Sequence, residues 1–521
     1  MAYLLVSFCC AYVALGSFLF GYDSGVISSS IAQPAFVAKF GGSLTDAATG
    51  GIVSSYTGLL FRPLSSEIGA TLLTLPTFII GGAIVGSAVV SFISDTYGRR
   101  VVVFLGGLLA TLGGALQGGC VTLAMLIAGR FIAGVAVGMM SATIPVYCSE
   151  VAPPRIRGLL GSMQQWMIGV GIMVAQWVGY GCSLYTDSFS WRFPLSFQVI
   201  PALLISGGTL FVPETPRWLI EHGKEETARS VLTRLHLNRA ESNRDLVEHE
   251  FLRIRETIDV ERRTVARSWR QLFAHPRSRQ RVLLACGIQA FTQCSGTNVI
   301  QYYGPRIYAT LGLSTSTSLM IIGIWGALAV FWNTVFMAFV DRIGRRKLLI
   351  PSMLGMGATL CVEATLAHYF NPDSSTNAAA LRAAISMFFV FTLFFTALGL
   401  ISWVYPSEIF PTAIRARGTS LSTFTNWSLN LVFAQCGPIG LSRLGYRFFY
   451  CFTAFNWAGA AIVWFWYPET VGRSLEDVGE IFGDVHSDDI AINNAINNGN
   501  NNDGDADGDD GRNGSIRIKH G

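Results

Sequence analysis

Charged side chains are scarce in this sequence. Asp, Glu, Lys and Arg make up 13% of its 521 residues, whereas a soluble domain carries roughly 25%. Hydrophobic residues reach 51%, and the mean hydropathy is +0.44. The shortage of charge argues against the two or three soluble domains that this length would otherwise allow. Because no basic stripe with interleaved aromatic residues is present, we expect no nucleic-acid partner.

The patterns of a metal site or of an enzyme are also lacking. None of the ten cysteines forms a Cys-x-x-Cys pair, and the histidines have no ligand spacing. We therefore predict neither a metal site nor a cofactor. A glycine-rich phosphate loop and a nucleophile paired with a base are missing too, so the sequence favours neither an enzyme nor a nucleotide-driven pump.

Long apolar stretches dominate what is present. A membrane-spanning helix needs about 20 predominantly apolar residues, and in lipid each such stretch must satisfy its own backbone hydrogen bonds as a helix. The first stretch has no basic leader, so we interpret it as a retained span. The sequence predicts about twelve spans, at 3–28, 68–93, 101–119, 121–147, 159–182, 191–212, 281–310, 317–340, 348–369, 384–405, 417–440 and 445–467.

Basic residues follow every second span. Examples are the Arg99–Arg100 pair after the second span and Arg342–Lys347 after the eighth, while the alternate loops are nearly free of such clusters. Because basic loops remain on the cytosolic side, this pattern with an even number of spans predicts that both termini are cytosolic.

Composition divides the chain into four parts. Residues 1–212 and 281–467 are predicted six-helix bundles. The charged stretch 213–280 is predicted to form short amphipathic helices beneath the membrane. Residues 468–521 form a cytosolic tail, which we expect to be disordered after about 484 because it is rich in Asn, Asp and Gly.

Three motifs occur twice, about 250 residues apart. Asp95–Arg100 recurs as Asp341–Arg346, and Pro213-Glu-Thr recurs as Pro468-Glu-Thr. Ser149-Glu150, with Arg157-Gly158 behind it, recurs as Ser407-Glu408 with Arg417-Gly418 behind it. The repeats indicate that a six-span unit was duplicated, an arrangement that suits alternating access around a central cavity.

Together these motifs resemble the sugar porter branch of the major facilitator superfamily over nearly the whole chain. The resemblance also includes Gly21–Gly25, Pro145–Val151, Gln293–Asn298 and the Tyr302-Tyr303 pair. It implies an all-α membrane protein of twelve transmembrane helices in two halves. The implied partners are a monosaccharide, a proton and the lipid bilayer, and we expect a monomer in the plasma membrane.

Two ionisable residues lie inside predicted spans. Asp23 and Arg130 would be costly in lipid unless each faces a cavity or a partner. Burial favours the neutral acid and a nearby cation favours the carboxylate, so their balance allows a proton to bind and leave. The resemblance implies that Asp23 accepts a proton and that Arg130 modulates it. The alternative is a purely structural ion pair. Glu363 is also ionisable, and for it we predict only a cavity-facing or near-surface position.

A polar face marks the seventh span. Gln289, Thr292 and Gln293 share one side of a helix, and Gly296 with Asn298 offers a place for the helix to unwind. Sugar hydroxyls require amides that both donate and accept, together with an aromatic surface. The resemblance assigns sugar contacts to Gln165, Gln293, Asn298 and Asn426, aromatic walls to Trp403 and Phe20, and an outer gate to Tyr302 and Tyr303. The alternative for each is helix–helix hydrogen bonding or core packing.

The sequence departs from the family pattern twice. Thr292 stands where the family usually has a glutamine, so one sugar contact is lost or made through water. The tenth span carries Gly399-Leu-Ile-Ser-Trp403 without the usual two prolines, although Gly399 remains a candidate site residue.

Repeat-equivalent charges predict a cytosolic gate. The resemblance implies an ion-pair network that closes the cytosolic side in the outward-open state. Its members are Arg99, Glu150, Arg157, Arg217, Arg345, Glu408 and Arg417. The alternative is that these basic residues only set the topology. The sequence thus favours a proton-coupled monosaccharide transporter, with a passive facilitator and a sugar sensor as alternatives.

Overall fold

The computed structural model describes residues 4–31, 33–40, 67–153, 156–236, 244–264, 269–300, 315–370, 378–473, 478–479 and 481–483. Throughout these residues the regular elements are helices. The first half contains α1 (Leu4–Val13), α2 (Leu15–Ile31), α3 (Pro34–Phe40), α4 (Glu67–Tyr97), α5 (Arg99–Gly118), α6 (Leu123–Val151), α7 (Arg157–Cys182), α8 (Phe189–Phe197) and α9 (Val199–Thr209).

Four shorter or more polar helices follow, and then the second half. The linker helices are α10 (Pro216–Glu221), α11 (Glu225–His236), α12 (Arg244–Thr264) and α13 (Trp269–Ala274). The second half contains α14 (Pro276–Cys294), α15 (Thr315–Ile343), α16 (Arg345–Tyr369), α17 (Ala378–Ile409), α18 (Thr412–Leu444) and α19 (Arg447–Trp466). Residues after 483, where the predicted disordered tail lies, are outside the described part.

The helices match the predicted spans. Nine helical stretches in the described residues are long and apolar enough to cross a membrane. Helices also occupy the other three predicted places, namely α8 with α9, α14 and α18. The architecture is therefore that of a multi-pass all-α membrane protein.

The predicted span at 191–212 is interrupted. The stretch expected at 191–212 forms two helices, α8 and α9, which meet at Gln198. Pro201 cannot donate a hydrogen bond to the carbonyl of Phe197, four residues earlier, and its ring crowds that carbonyl. The proline therefore accounts for the break between the two helices.

Glycines bring α4 and α6 into close contact. A Cβ atom at Gly82 or Gly86 would collide with backbone atoms of α6, and one at Gly134 or Gly138 would collide with backbone atoms of α4. Small residues permit such close backbone approach in membranes, where helix association depends on packing. The two helices are thus joined along several turns.

The halves meet mainly along two helix pairs. Helix α7 of the first half packs against α15 of the second, and α4 packs against α18. The linker helices lie against the first half, where Phe251 and Ile254 share a buried cluster with Tyr147 and Leu160. Helix α6 also contacts α17 and α18, and α17 contacts α7, so each half contributes three helices to the central interface.

Candidate binding cavity and ion-pair network

A cavity lies between the two halves. Its volume is about 870 Å³ when the space open to solvent is included. Its polar lining residues are Ser24, Gln165, Thr292, Gln293, Thr297, Asn298, Asn333, Thr392, Thr396, Asn426 and Asn430, and its aromatic ones are Phe20, Trp325, Phe395 and Trp403. The lining offers uncharged donors and acceptors beside aromatic faces, which suits a neutral hydroxylated molecule.

One hydrogen bond crosses the cavity wall between the halves. Trp403 Nε1 on α17 donates to Gln165 Oε1 on α7 at 3.0 Å. The Phe20 ring lies edge-on to Trp403, with centroids 6.4 Å apart. Gly399 is not among the lining residues; it lies behind Gln165, where a Cβ atom would be 3.1 Å from Gln165 Nε2. Gly399 therefore provides room for the Gln165 side chain.

The polar face of α14 is only partly turned to the cavity. Gln293 and Asn298 line it and hydrogen-bond to each other across the break at Gly296, whose φ is 93°. Thr292 also lines the cavity, but its hydroxyl donates to the Ile288 carbonyl at 2.9 Å. At this position the hydroxyl hydrogen is therefore already used within the helix.

Gln289 lies behind the cavity wall. Its Nε2 donates to the Ser402 carbonyl at 3.0 Å, and its Oε1 accepts from Asn426 Nδ2 at 2.5 Å. Gln289 thus orients Asn426, which does line the cavity. Tyr302 and Tyr303, predicted as an outer gate, lie outside the described residues.

One wall of the cavity was missed by the sequence analysis. Trp325, Ala329 and Asn333 of α15 all line the cavity. They are spaced four residues apart and therefore share one helix face. The signal was an asparagine inside an otherwise apolar span, four residues from a small residue.

Asp23 and Arg130 form a buried ion pair. Arg130 Nη1 lies 3.3 Å from Asp23 Oδ1, and the Asp23 and Arg130 side chains are 2% and 0% exposed. Arg130 also donates to Gln117 Oε1 at 3.2 Å and to the backbone carbonyl of Asp23 at 3.3 Å. Asp23 follows Phe20 by three residues and precedes Ser24, both of which line the cavity. The pair lies directly behind the cavity wall formed by α2.

Glu150 joins the halves at the end of the bundle that carries Arg99, Arg345 and Arg415, which we call the arginine-rich end. Its Oε1 lies 3.1 Å from Arg99 Nη2 of its own half and 3.2 Å from Arg415 Nη1 of the other half. All three side chains are at most 1% exposed. The sequence analysis placed Arg417, rather than Arg415, in this network.

The second half has a matching cluster. Arg345 lies 2.7 Å from Glu408 and 3.1 Å from Asp341. Asp341 also accepts a hydrogen bond at 2.8 Å from the backbone of Leu159, in the first half. Asp95, the equivalent acidic residue of the first half, lies 3.5 Å from Arg417 Nε of the second half. The acidic residues of the two repeated turns therefore both take part in contacts between the halves. Two further contacts at this end involve the linker and the tail: Arg217 Nη1 of α10 donates to Thr412 Oγ1 at 3.4 Å, and Arg157 Nη1 donates to the Arg473 carbonyl at 3.4 Å.

A repeated acidic residue caps a helix in each half. Glu214 accepts from the backbone amides of Arg99 and Arg100 at 3.2 and 3.0 Å. Glu469 does the same for Arg345 and Arg346 at 2.8 and 3.0 Å. These carboxylates satisfy amides that the first turn of a helix leaves free and lie at its positive end. The recurrence of Pro-Glu-Thr was the signal for these caps.

Both capped helices begin after a glycine with a positive φ. Gly98 has a φ of 99° and Gly344 a φ of 104°, and at each a Cβ atom would collide with the capping glutamate. The repeated Gly-Arg-Arg motif is therefore a helix start with an acidic cap.

Glu261 of α12 caps α18 from the linker. Its two oxygens accept from the backbone amides of Thr412 at 3.1 Å and Ala413 at 2.9 Å. Burial raises the pKa of the Glu261 carboxyl, while Arg415 and the two amides act in the opposite direction. The linker is thereby tied to the second half.

Glu363 is not among the residues that line the central cavity. It is 5% exposed within α16, and its Oε2 has no hydrogen-bond partner among the residues described.

Comparisons with known proteins agree with this architecture. The family model described as "Sugar (and other) transporter" matches residues 9–482. A relative, MFS-type transporter criB of Aspergillus cristatus, is 33% identical over 92% of this chain and 94% of its own length. The high-affinity glucose transporter of Kluyveromyces lactis is 30% identical over 78% of this chain and 76% of its own length.

A solved structure shares the fold. The proton:xylose symporter XylE of E. coli, bound to 6-bromo-6-deoxy-D-glucose, superimposes with a TM-score of 0.78 at 25% identity. The match covers 91% of this chain and 99% of that protein.

Proposed function

The chain belongs to the sugar transporter family of the major facilitator superfamily, and from that membership we propose that it carries a monosaccharide by proton symport with alternating access. It is a multi-pass membrane transporter and not an enzyme. The proposal concerns the substrate and the coupling. Its main support is the uncharged polar cavity between the halves, with Gln165, Gln293 and Asn298 on its surface.

The sugar is held by amides and an aromatic ring. Gln165 and Trp403 belong to different halves and lie side by side on the cavity surface, so a sugar that binds both of them contacts both halves at once. Gln293 and Asn298 contribute from the broken helix, and Asn426 is held in place by Gln289. A ligand that binds both halves favours their closure around it.

The proton binds to Asp23. In the ion-paired state Arg130 stabilises the charged form of Asp23, whereas burial away from water favours its neutral form. Protonation neutralises Asp23 and weakens its attraction to Arg130, which frees α2 to move relative to α6. Because Phe20 and Ser24 of α2 line the cavity, this movement is transmitted to the sugar site.

The arginine-rich end is the cytosolic gate. The contacts of Glu150, Asp95 and Asp341 across the halves hold this end closed while the cavity accepts sugar from outside. Opening the gate separates residues 1–212 from residues 281–467, with 213–280 as the linker. We further propose that both termini are cytosolic and that the carrier is a monomer in the plasma membrane. The basic residues that follow every second span support this orientation.

The coupling is tested by replacing the proposed proton acceptor. Asp23→Asn keeps the shape of the side chain but cannot exchange a proton, so accumulation driven by an inward proton gradient is lost while equilibrating uptake remains. The measurement is uptake of labelled glucose and xylose into proteoliposomes, with and without a pH gradient.

Asp187→Asn is the matched control, because Asp187 is exposed in the turn before α8. It retains gradient-driven accumulation. If Asp23→Asn retains it as well, Asp23 has no role in coupling. If wild-type uptake does not depend on the pH gradient, the protein is a passive facilitator. If it binds sugar without taking it up, it is a sensor.

A further inference from the structure

Asn333 on α15 is a polar residue that the proposed mechanism does not yet use. It is 3% exposed and lines the central cavity. Its Nδ2 donates to the carbonyl of Ala329, one turn earlier in the same helix, at 2.8 Å. Its Oδ1 is buried and has no hydrogen-bond partner within the described part of the chain.

A buried acceptor without a partner is unfavourable. Leaving one unsatisfied costs roughly 1–3 kcal/mol, so buried polar atoms nearly always have a partner. Because Asn333 lies on the cavity, the missing partner is a molecule that enters the cavity. Water fills this role when no solute is bound.

The surroundings of Asn333 leave room for such a molecule. Across from it on α7 is Gly169, where a Cβ atom would lie 3.3 Å from Asn333 Nδ2. One turn earlier on α15 is Ala329, which is also small, and both residues line the cavity. The cavity therefore extends to the Asn333 side chain.

Asn333 also offsets a change on the opposite wall. Thr292 directs its hydroxyl hydrogen to its own helix and is too short to replace an amide. Asn333 on α15 supplies the lining with an amide that Thr292 on α14 does not.

We infer that Asn333 is a specificity-determining residue whose Oδ1 accepts a hydrogen bond from one hydroxyl of the transported sugar. The inference rests on the proposed function, since it assigns a contact in the same site. An acceptor selects a group that donates, so the sugar analogue that lacks this hydroxyl binds more weakly. A neutral hydrogen bond contributes about 0.5–1.5 kcal/mol, which corresponds to roughly 2- to 10-fold in affinity.

The test compares sugar analogues with side-chain variants of the full chain in proteoliposomes. Labelled glucose or xylose, whichever the wild type takes up, competes with each of its monodeoxy analogues. In the wild type one analogue competes roughly 2- to 10-fold more weakly because it leaves Oδ1 unpaired. In Asn333→Leu and Asn333→Ala that difference disappears, while the differences for the other analogues remain.

Two variants separate recognition from packing. Leucine fills the space of asparagine and alanine empties it, so only the loss of the acceptor is common to both. Asn456→Leu is the control: Asn456 is buried away from the cavity lining, and its Nδ2 donates to the carbonyls of Ser295 and Phe452. It lowers the yield of folded protein and leaves the analogue profile as in the wild type.

The outcomes distinguish the two proposals. Wild-type uptake with an analogue profile that is the same in Asn333→Leu and Asn333→Ala overturns the role of Asn333 and leaves the transport function standing. Failure of the wild type to bind or take up any sugar overturns both.

Discussion

Glu261 belongs to the linker, yet it holds the first turn of a helix in the second half. Because its pKa is raised by burial, the folded chain binds a proton at this site more readily than the unfolded chain does. The contribution of this carboxyl to stability is therefore greatest below its ordinary pKa of 4.5 and is lost as the pH rises through the raised value.

Glu261→Gln removes this titration without changing the side-chain shape. We expect the melting temperature of the wild type, relative to the variant, to fall as the pH increases from about 4.5 towards neutrality. The measurement is thermal unfolding in detergent across this pH range. Glu256→Gln, at an exposed position on the same helix, is the control. A wild type that gains stability over Glu261→Gln with rising pH would contradict this assignment.

Single residues could be predicted where their type was unusual for their surroundings. Asp23 and Arg130 stood out as charges in apolar spans, and the structure brings them within 3.3 Å. Thr292 stood out as a departure from a family pattern, but the direction of its hydroxyl depends on its own helix backbone. Asn333 was not predicted, because the sequence alone does not show whether a lone amide in a span faces the cavity or a neighbouring helix.

At the scale of helices, the spans followed from apolar length and their breaks from particular residues. Gly296 and Asn298 indicated where the seventh span unwinds, and the chain leaves the helix there. The break at Gln198 was missed because the expected length of a span was given more weight than Pro201. Hydrophobicity reports whether a stretch can cross a membrane, not whether its backbone is continuous.

The proposed gate at the arginine-rich end can be tested by labelling a residue of the cavity. Glu150→Gln removes the charge that both Arg99 and Arg415 contact, and breaking a buried pair costs roughly 3–5 kcal/mol. In the proposed mechanism water reaches these arginines when the gate opens, so this loss falls on the closed state. A cysteine introduced at Ser24, which lines the cavity, should then react at least about 10-fold faster with an impermeant thiol reagent added on the cytosolic side.

Labelling of the native cysteines is measured in Glu150→Gln with Ser24 retained, and this background is subtracted. Glu248→Gln is the matched control, since Glu248 pairs with Arg229 at exposed positions of the linker, where ion pairs contribute little. Equal labelling in Glu150→Gln and Glu248→Gln would show that Glu150 does not hold the gate.

At the scale of the whole molecule, the duplication predicted two similar halves, and the helix caps at Glu214 and Glu469 repeat in detail. The partner of Glu150 could not be predicted in the same way. Arg415 and Arg417 lie two residues apart, and which of them reaches across depends on how the halves pack, which no local pattern records.

The predicted orientation can be tested in intact cells. An epitope added after Gly521 should be reached by antibody only after the cells are permeabilised. An epitope inserted in the exposed turn at 183–188 should be reached from outside without permeabilisation. The basic loops give the physical reason, because they resist translocation. The opposite labelling pattern would invert the assignment of the arginine-rich end.

The double contact of Glu150 bears on how easily the carrier changes state. In the proposed opening of the gate, Glu150 keeps Arg99 of its own half as a counter-ion, while Arg415 leaves with the second half. Glu150 is therefore not left without a counter-ion by the separation. Glu150 can therefore stabilise the closed state without adding the cost of an unpaired buried carboxylate to the barrier for opening.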